Sequence, residues 1–263
     1  MAFKFKTLCS GSGGNCALLW TDTTAVLIDF APGCQRDCRE SLNLARKICG
    51  PLGAVLITHA HGDHINGNSL KVLREEGLRA RCHPEVYAQI RKKHGAGCAA
   101  LLSPFENELA MDGLKIRHQR VGHAPDCYTT AFAITATGRA REYKAAVFTD
   151  LSGFTGAHVA FAAGSDLLFI ETNHDLALLK MHGHPGSEYH MSNYNAAQFL
   201  HEICRAGAAQ PQAVVLGHLS EDCNKPHLPP KEIKDFFRKN KLPVKFKMQV
   251  AKRHEPGQVV IVG

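Results

Sequence analysis

The stretch Ala54-Val55-Leu56-Ile57-Thr58-His59-Ala60-His61-Gly62-Asp63-His64 decides how this chain is read. An apolar run with the character of a buried strand stops abruptly in His-x-His-x-Asp-His, so four potential metal ligands fall within six residues. Alternate side chains of a strand share a face, which lets His59 and His61 converge on one ion. The turn at Gly62 redirects Asp63 and His64 toward a neighbouring position. Imidazole and carboxylate suit zinc, iron or manganese, and their mixture, without cysteine, favours a catalytic over a closed structural site. The apolar strand anchors these residues at a sheet edge, which separates them from a His-rich surface turn.

Four residues cannot complete two coordination spheres, so further ligands are required at other strand ends. Val121-Gly122-His123 follows one predicted strand, Val147-Phe148-Thr149-Asp150 ends another, and Val214-Val215-Leu216-Gly217-His218 ends a third. Any one of these alone reads as a cap, a turn or a satisfied polar residue. Together with the histidine cluster they make a ligand set.

Around these anchors, periodicity predicts strands at Phe3–Cys9, Cys16–Trp20, Ala25–Phe30 and Ala54–Thr58, with a helix over Gln35–Cys49. Helices follow at Ser69–Glu76 and Glu85–Lys93, then strands at Leu114–Val121, Tyr128–Thr135, Lys144–Thr149 and Asp166–Glu171. The remainder reads as a helix at Asn193–Arg205, a strand at Ala213–Leu216, a helix at Lys231–Lys239 and strands near Lys245–Val250 and Val259–Val262. Strand-rich blocks punctuated by helices in both halves imply two sheets packed face to face with helices on their outer faces, a four-layer αββα sandwich of the α/β class. No linker or fixed-period repeat divides the chain, so residues 1–263 are expected to form one domain. Ser10-Gly11-Ser12-Gly13-Gly14-Asn15 lies between two strands and lacks the Lys-Ser/Thr and the helix of a phosphate-binding loop, so it reads as a hairpin turn at the rim of a site.

Composition narrows the function. At 44% apolar and 21% charged residues the chain is ordinary for a globular protein, and no run of about 18 apolar residues offers a membrane span. Met1 to Thr7 alternates Phe and Lys, which reads as a strand and not as a signal peptide, so a cytoplasmic location is expected. The ten cysteines are scattered without a CxxC pair and read as free thiols. A formal charge of +7 would attract a phosphate-bearing polyanion.

The pattern of ligands resembles the metallo-β-lactamase fold superfamily, whose signature runs Asp, His-x-His-x-Asp-His, His, Asp, His. More closely it is similar to the YycJ/WalJ-type branch, regarded as nuclease-like. That likeness lies in Leu8 to Cys16, Leu27-Ile28-Asp29, Glu171-Thr172-Asn173-His174-Asp175, His190-Met191-Ser192-Asn193 and His218-Leu219-Ser220-Glu221 with Asn224. The resemblance implies that His59, His61 and His123 hold one ion and Asp63, His64 and His218 the other, with Asp150 between them. It places Asp29 and Asn173 in outer positions that orient ligands. Where the branch runs through Tyr-Pro and Gly-His-Leu-Ser-Asn, this chain has a His-rich Lys180–His190 stretch, in which His182 and His184 read as exposed loop residues.

Two divalent ions, with Zn2+ the first expectation and Mn2+ or Fe2+ the others, would lower the pKa of a water between them and supply hydroxide for in-line attack. Asp63 is then expected to take part in handling the proton of that hydroxide, and His190 or His174 to contact a phosphate oxygen or protonate the leaving group. The leading expectation is hydrolysis of DNA or RNA phosphodiesters. The competing expectations are a small cyclic phosphodiester, a lactone, thioester or β-lactam, or a non-catalytic metal-binding regulatory role. The ligand set specifies hydrolytic machinery without specifying its substrate.

Overall fold

The chain builds two seven-stranded sheets, each with helices against its outer face. The structure, a computed structural model, describes residues 3–138 and 141–263. Met1 and Ala2, at the head of the segment expected to be extended, lie outside the described residues.

In chain order the first half runs β1 (Phe3–Cys9), β2 (Cys16–Trp20), β3 (Ala25–Ile28), α1 (Gln35–Cys49), β4 (Ala54–Leu56), α2 (Gly67–Glu75), β5 (Ala80–Cys82), α3 (Pro84–His94) and β6 (Leu102–Pro104). The second sheet is then laid down by β7 (Glu108–Met111), β8 (Leu114–Val121), β9 (Thr129–Thr137), β10 (Glu142–Phe148), α4 (Gly156–Ala162) and β11 (Leu167–Glu171). It continues with α5 (Leu176–His182), α6 (Asn193–Ala206), β12 (Ala213–Gly217), α7 (Leu228–Lys239) and β13 (Lys247–Val250), before β14 (Val260–Val262) returns to the first sheet. The strand orders are β14-β1-β2-β3-β4-β5-β6 and β13-β12-β11-β10-β9-β8-β7.

Three apolar clusters correspond to the three interfaces of a four-layer stack. Phe5, Leu19, Val26 and Leu56 of the first sheet meet Ile116, Phe132, Val147, Phe169 and Val215 of the second. Leu42, Leu73, Val86 and Ile90 pack helices α1 to α3 onto the first sheet, and Val159, Phe199, Leu200, Ile233 and Phe237 pack α4, α6 and α7 onto the second. The expected αββα sandwich is therefore observed.

Strand direction decides where the polar residues collect. β3 and β4 are parallel, as are β10, β11 and β12, and β8 shares their direction because it is antiparallel to β9, which is antiparallel to β10. The C-terminal ends of all these strands open on one edge of the sandwich, where ligands of α/β sheets usually bind.

Several boundaries differ from expectation, for local reasons. β3 and β4 stop two residues early because Asp29 adopts φ +55° and its carboxylate, not a strand, accepts the Thr58 N–H at 2.9 Å. β5 and β6 are three residues each, too short to show a period, and β7 is largely exposed. α4 and α5 were not anticipated, and α5 buries none of its residues. The Ser10–Asn15 hairpin turn is present between β1 and β2. At Gly14 (φ +156°) any Cβ would run into the Ala31 carbonyl oxygen, so only glycine lets the turn lie this close to the chain after β3.

Candidate metal centre

Each residue of the expected ligand set arrives at the same edge from a strand end. β4 leads into His59, His61, Asp63 and His64, β8 into His123, β10 into Asp150 and β12 into His218. The structure gathers all seven. Donor atoms of His59, His61, His123 and Asp150 lie within 4.8 Å of one another, as do those of Asp63, His64, Asp150 and His218. Asp150 belongs to both groups: its Oδ2 is 3.2 Å from His59 Nε2, 2.9 Å from His64 Nε2 and 3.9 Å from His123 Nε2.

The outward nitrogens are tied, which determines what the inward ones offer. His64 Nδ1 donates to Asp29 Oδ2 at 2.7 Å, and His123 Nδ1 to the Tyr189 carbonyl at 2.8 Å. His59 Nδ1 donates to the Thr58 hydroxyl at 3.0 Å, which passes its own proton to Asp29 at 2.9 Å. His218 Nδ1 faces Glu171 Oε1 at 3.1 Å. A proton fixed on the far nitrogen leaves a lone pair on the near one, the arrangement that metal-binding histidines use.

Those lone pairs confront one another. His61 Nδ1 is 3.2 Å from both His59 Nε2 and His123 Nε2, roughly the ~3.4 Å between neighbouring ligands around a tetrahedral zinc with arms of about 2.0–2.1 Å. Asp150 Oδ1 is buried with no well-aligned hydrogen bond, and the nearest group to it in an ion pair is His218 Nδ1 at 3.1 Å. The donor set therefore fits divalent cations.

Electrostatics point the same way. Burial, followed by neighbouring imidazoles, lowers the pKa values of His59 and His61, and burial also lowers that of His123, favouring the neutral forms. Burial opposes charge on His64 and His218, yet the surrounding carboxylates outweigh it. They hold His64 well above the ordinary range and push His218 up to about 10. Burial likewise opposes ionisation of Asp63 and Asp150, but the adjacent histidines keep both well below the ordinary carboxylate range. Without an ion, protons on His64 and His218 balance the carboxylates of Asp63, Asp150 and Glu171, and a bound cation would displace them.

Asp29 and His218 both have a left-handed backbone, each with φ +55°, a conformation costly for non-glycine residues and found disproportionately at functional sites. His218 is held by the Ser10 hydroxyl, which accepts its N–H at 2.9 Å, and by Asn173, whose Nδ2 donates to its carbonyl at 3.1 Å. Asn173 thus lies behind His218. His190 stands at the margin, 2.6 Å from Glu171 through Nδ1 and 3.8 Å from Asp150. Burial opposes its charged form, but Glu171 prevails and raises its pKa. His174 is buried with Nδ1 unpartnered and does not join the converging donors. His182 and His184 are exposed, His182 at the end of α5 instead of in a loop.

Sequence reasoning left out three residues of this edge. Glu171 accepts the backbone N–H groups of Leu151 and Met191 as well as the two imidazoles. Its signal was an acid closing an apolar strand, the same signal that identified Asp150. Asn15 Nδ2 reaches Asp63 Oδ2 at 3.2 Å and His64 Nε2 at 3.0 Å, and Thr58 links His59 to Asp29. Nothing in one-dimensional spacing distinguishes such residues from turn formers.

Asp29→Asn tests the outer support. Asparagine keeps the tolerance for a left-handed backbone but loses the charge that orients His64 and Thr58. Metal affinity, measured by competition with a chromogenic chelator, is expected to fall about 10–100-fold. Unchanged affinity would show that Asp29 is only a turn former.

The comparisons with known proteins agree with this geometry. The family model described as the metallo-beta-lactamase superfamily matches residues 10–139, which include the His-rich loop and His123. The chain is 24% identical over 242 residues to the exodeoxyribonuclease WalJ of Streptococcus pneumoniae, covering 85% of this chain and 84% of that one. It is 25% identical over 241 residues to the exodeoxyribonuclease YycJ of Bacillus anthracis, covering 85% of each. Among solved structures, the metallo-beta-lactamase fold protein YhfI of Bacillus subtilis superimposes with a TM-score of 0.72 at 18% identity, over 99% of this chain and 100% of that one. With two stacked sheets, candidate ligands at the ends of successive strands and a family model matching residues 10–139, the chain is similar to the metallo-β-lactamase superfamily.

Proposed function

We propose that this chain is a metal-dependent phosphodiesterase that hydrolyses nucleic acid, with DNA the favoured substrate. The observation that carries the reading is the inward convergence of seven His and Asp donors, with the outer nitrogens of His59, His64, His123 and His218 already tied. The similarity to two exodeoxyribonucleases over most of the chain supports the substrate. His59, His61 and His123 would hold one ion, Asp63, His64 and His218 a second, and Asp150 would lie between them. Such a pair supplies a hydroxide nucleophile near neutral pH and offsets charge on the substrate oxygens.

The chain's own groups divide the remaining work. Asp63, ionised and 3.4 Å from His218 Nε2, sits at the rim where a proton of the attacking water can be accepted. His190, with Nδ1 held by Glu171, has Nε2 free to donate to the leaving oxygen, and the raised pKa keeps a proton on the ring near neutrality. His174, buried with Nδ1 unpartnered, is the alternative contact to a phosphate oxygen. Zinc is the first choice of ion, with manganese and iron as alternatives.

Metal-loaded protein is expected to degrade single-stranded oligonucleotides, with Asp63→Ala at least about 10²-fold slower, a barrier increase of ~2.7 kcal/mol. Equal turnover by the two proteins, or none by wild type on any phosphodiester, would sink the reading.

A further inference from the structure

Two cations beside the centre are held in place yet carry no counter-charge. Arg120, three residues before His123, lays its guanidinium over the Tyr128 ring at 5.0 Å from the centroid. Tyr128 is stacked in turn on His83, with centroids 4.4 Å apart and planes inclined by 13°. The Tyr128 backbone N–H donates to Gln89 Oε1 at 3.0 Å. One helical turn further along α3, Lys93 donates to the carbonyl of Ala60, between His59 and His61, at 3.2 Å. Arg120, Tyr128, Gln89 and Lys93 therefore form one connected rim on the His61–His123 side.

Arg120 and Lys93 are exposed, and among the described residues neither has a carboxylate partner and the Arg120 guanidinium makes no hydrogen bond. Of the acids on this rim, Glu85 and Glu106 act on His83, and Asp126 lends Gln89 only its backbone carbonyl. The opposite rim is different. There Lys252 is paired with Glu255 at 2.7 Å and Arg253 with Glu221 at 3.6 Å, and of that rim's cations only Lys225 has no carboxylate partner among the described residues.

We propose that Arg120 and Lys93 form a phosphate-binding subsite that holds the backbone of a single-stranded nucleic acid beside the phosphodiester to be cleaved. The proposal rests on the hydrolytic reading of the centre and adds the side on which the substrate strand lies. A guanidinium resting on an aromatic face keeps its in-plane N–H edges for the two oxygens of a phosphate. The stack fixes the side chain beforehand, so little rotamer freedom is lost on binding. His59, His64, Asp150 and His218 are buried, with Asp150 only 1% exposed, while His61, Asp63 and His123 are partly exposed, so the scissile group must reach down past the latter three. A flexible single strand does this more easily than a paired duplex.

The test is binding of a fluorescent single-stranded oligodeoxynucleotide, followed by anisotropy over a range of salt concentrations. Wild type is compared with Arg120→Gln, Lys93→Gln, the double variant and Arg120→Lys. Each glutamine substitution is expected to weaken binding about tenfold at moderate salt and to lower the slope of log K against log salt by about 0.7. KM for the oligonucleotide should rise by a similar factor while kcat changes less than about threefold. Arg120→Lys should restore the salt slope but only part of the affinity, since lysine lacks the planar fork. Wild-type affinity and slope in the double variant, or no oligonucleotide binding by wild type, overturn the proposal. Binding that depends on Arg120 and Lys93 in a wild-type protein that cleaves no phosphodiester supports the subsite and overturns the hydrolytic reading alone.

Discussion

Replacing Asp150 by asparagine is expected to reduce phosphodiester turnover by about 10³-fold or more, equivalent to ~4 kcal/mol of barrier. The Asp150 carboxylate is the one donor shared by both groups of candidate ligands, with Oδ2 between His59 Nε2 and His64 Nε2 and Oδ1 buried 3.1 Å from His218 Nδ1. Asparagine has nearly the same volume, so the core around it should persist. Its neutral amide, however, removes a negative charge and can aim N–H donors at lone pairs. Metal analysis of the purified variant should show fewer than two ions per chain where wild type holds two. Turnover within tenfold of wild type, with metal content intact, would remove Asp150 from its central place.

The second large effect is thermal. Stripping the protein with a strong chelator is expected to abolish turnover and to lower the melting temperature by about 5–10 °C. The size follows from linkage: an ion present at 100 times its Kd stabilises the folded state by about 2.7 kcal/mol, and each kcal/mol moves the midpoint by ~2–4 °C in chains of this length. The structural origin is the crowding of Asp63, Asp150 and Glu171 with the facing nitrogens of His59, His61 and His123, which a bound cation would hold together. Restoring zinc, manganese or iron separately should recover both properties to different degrees and so rank the metals. A melting temperature and turnover indifferent to chelator would show that the edge binds no catalytic ion.

Much of this organisation was legible in the sequence because each signal was local. Apolar runs closing in His or Asp mark strands that end at a polar edge, and β1, β2, β8 and α1 have the bounds that periodicity predicts. Short or exposed elements gave no comparable signal. β5 and β6 are defined by pairing with neighbours and not by their own residues, and α5 is set by its Asp175 cap, which accepts the N–H groups of Ala177 and Leu178.

The identities of the candidate ligands, their order along the chain and the layered architecture were therefore legible in the sequence itself. Hydrophobic periodicity specifies which face each element buries, and the chemistry of imidazole and carboxylate specifies what they bind. The tertiary structure alone decided which nitrogen each histidine turns inward, that Thr58, Asn15 and Glu171 support the centre, and that two uncompensated cations lie together on the Arg120–Lys93 rim. These features depend on hydrogen bonds, ring stacking and ion pairs between residues far apart in the chain. Such contacts act over a few ångströms, and only the closing of the two sheets on each other brings their partners within that range.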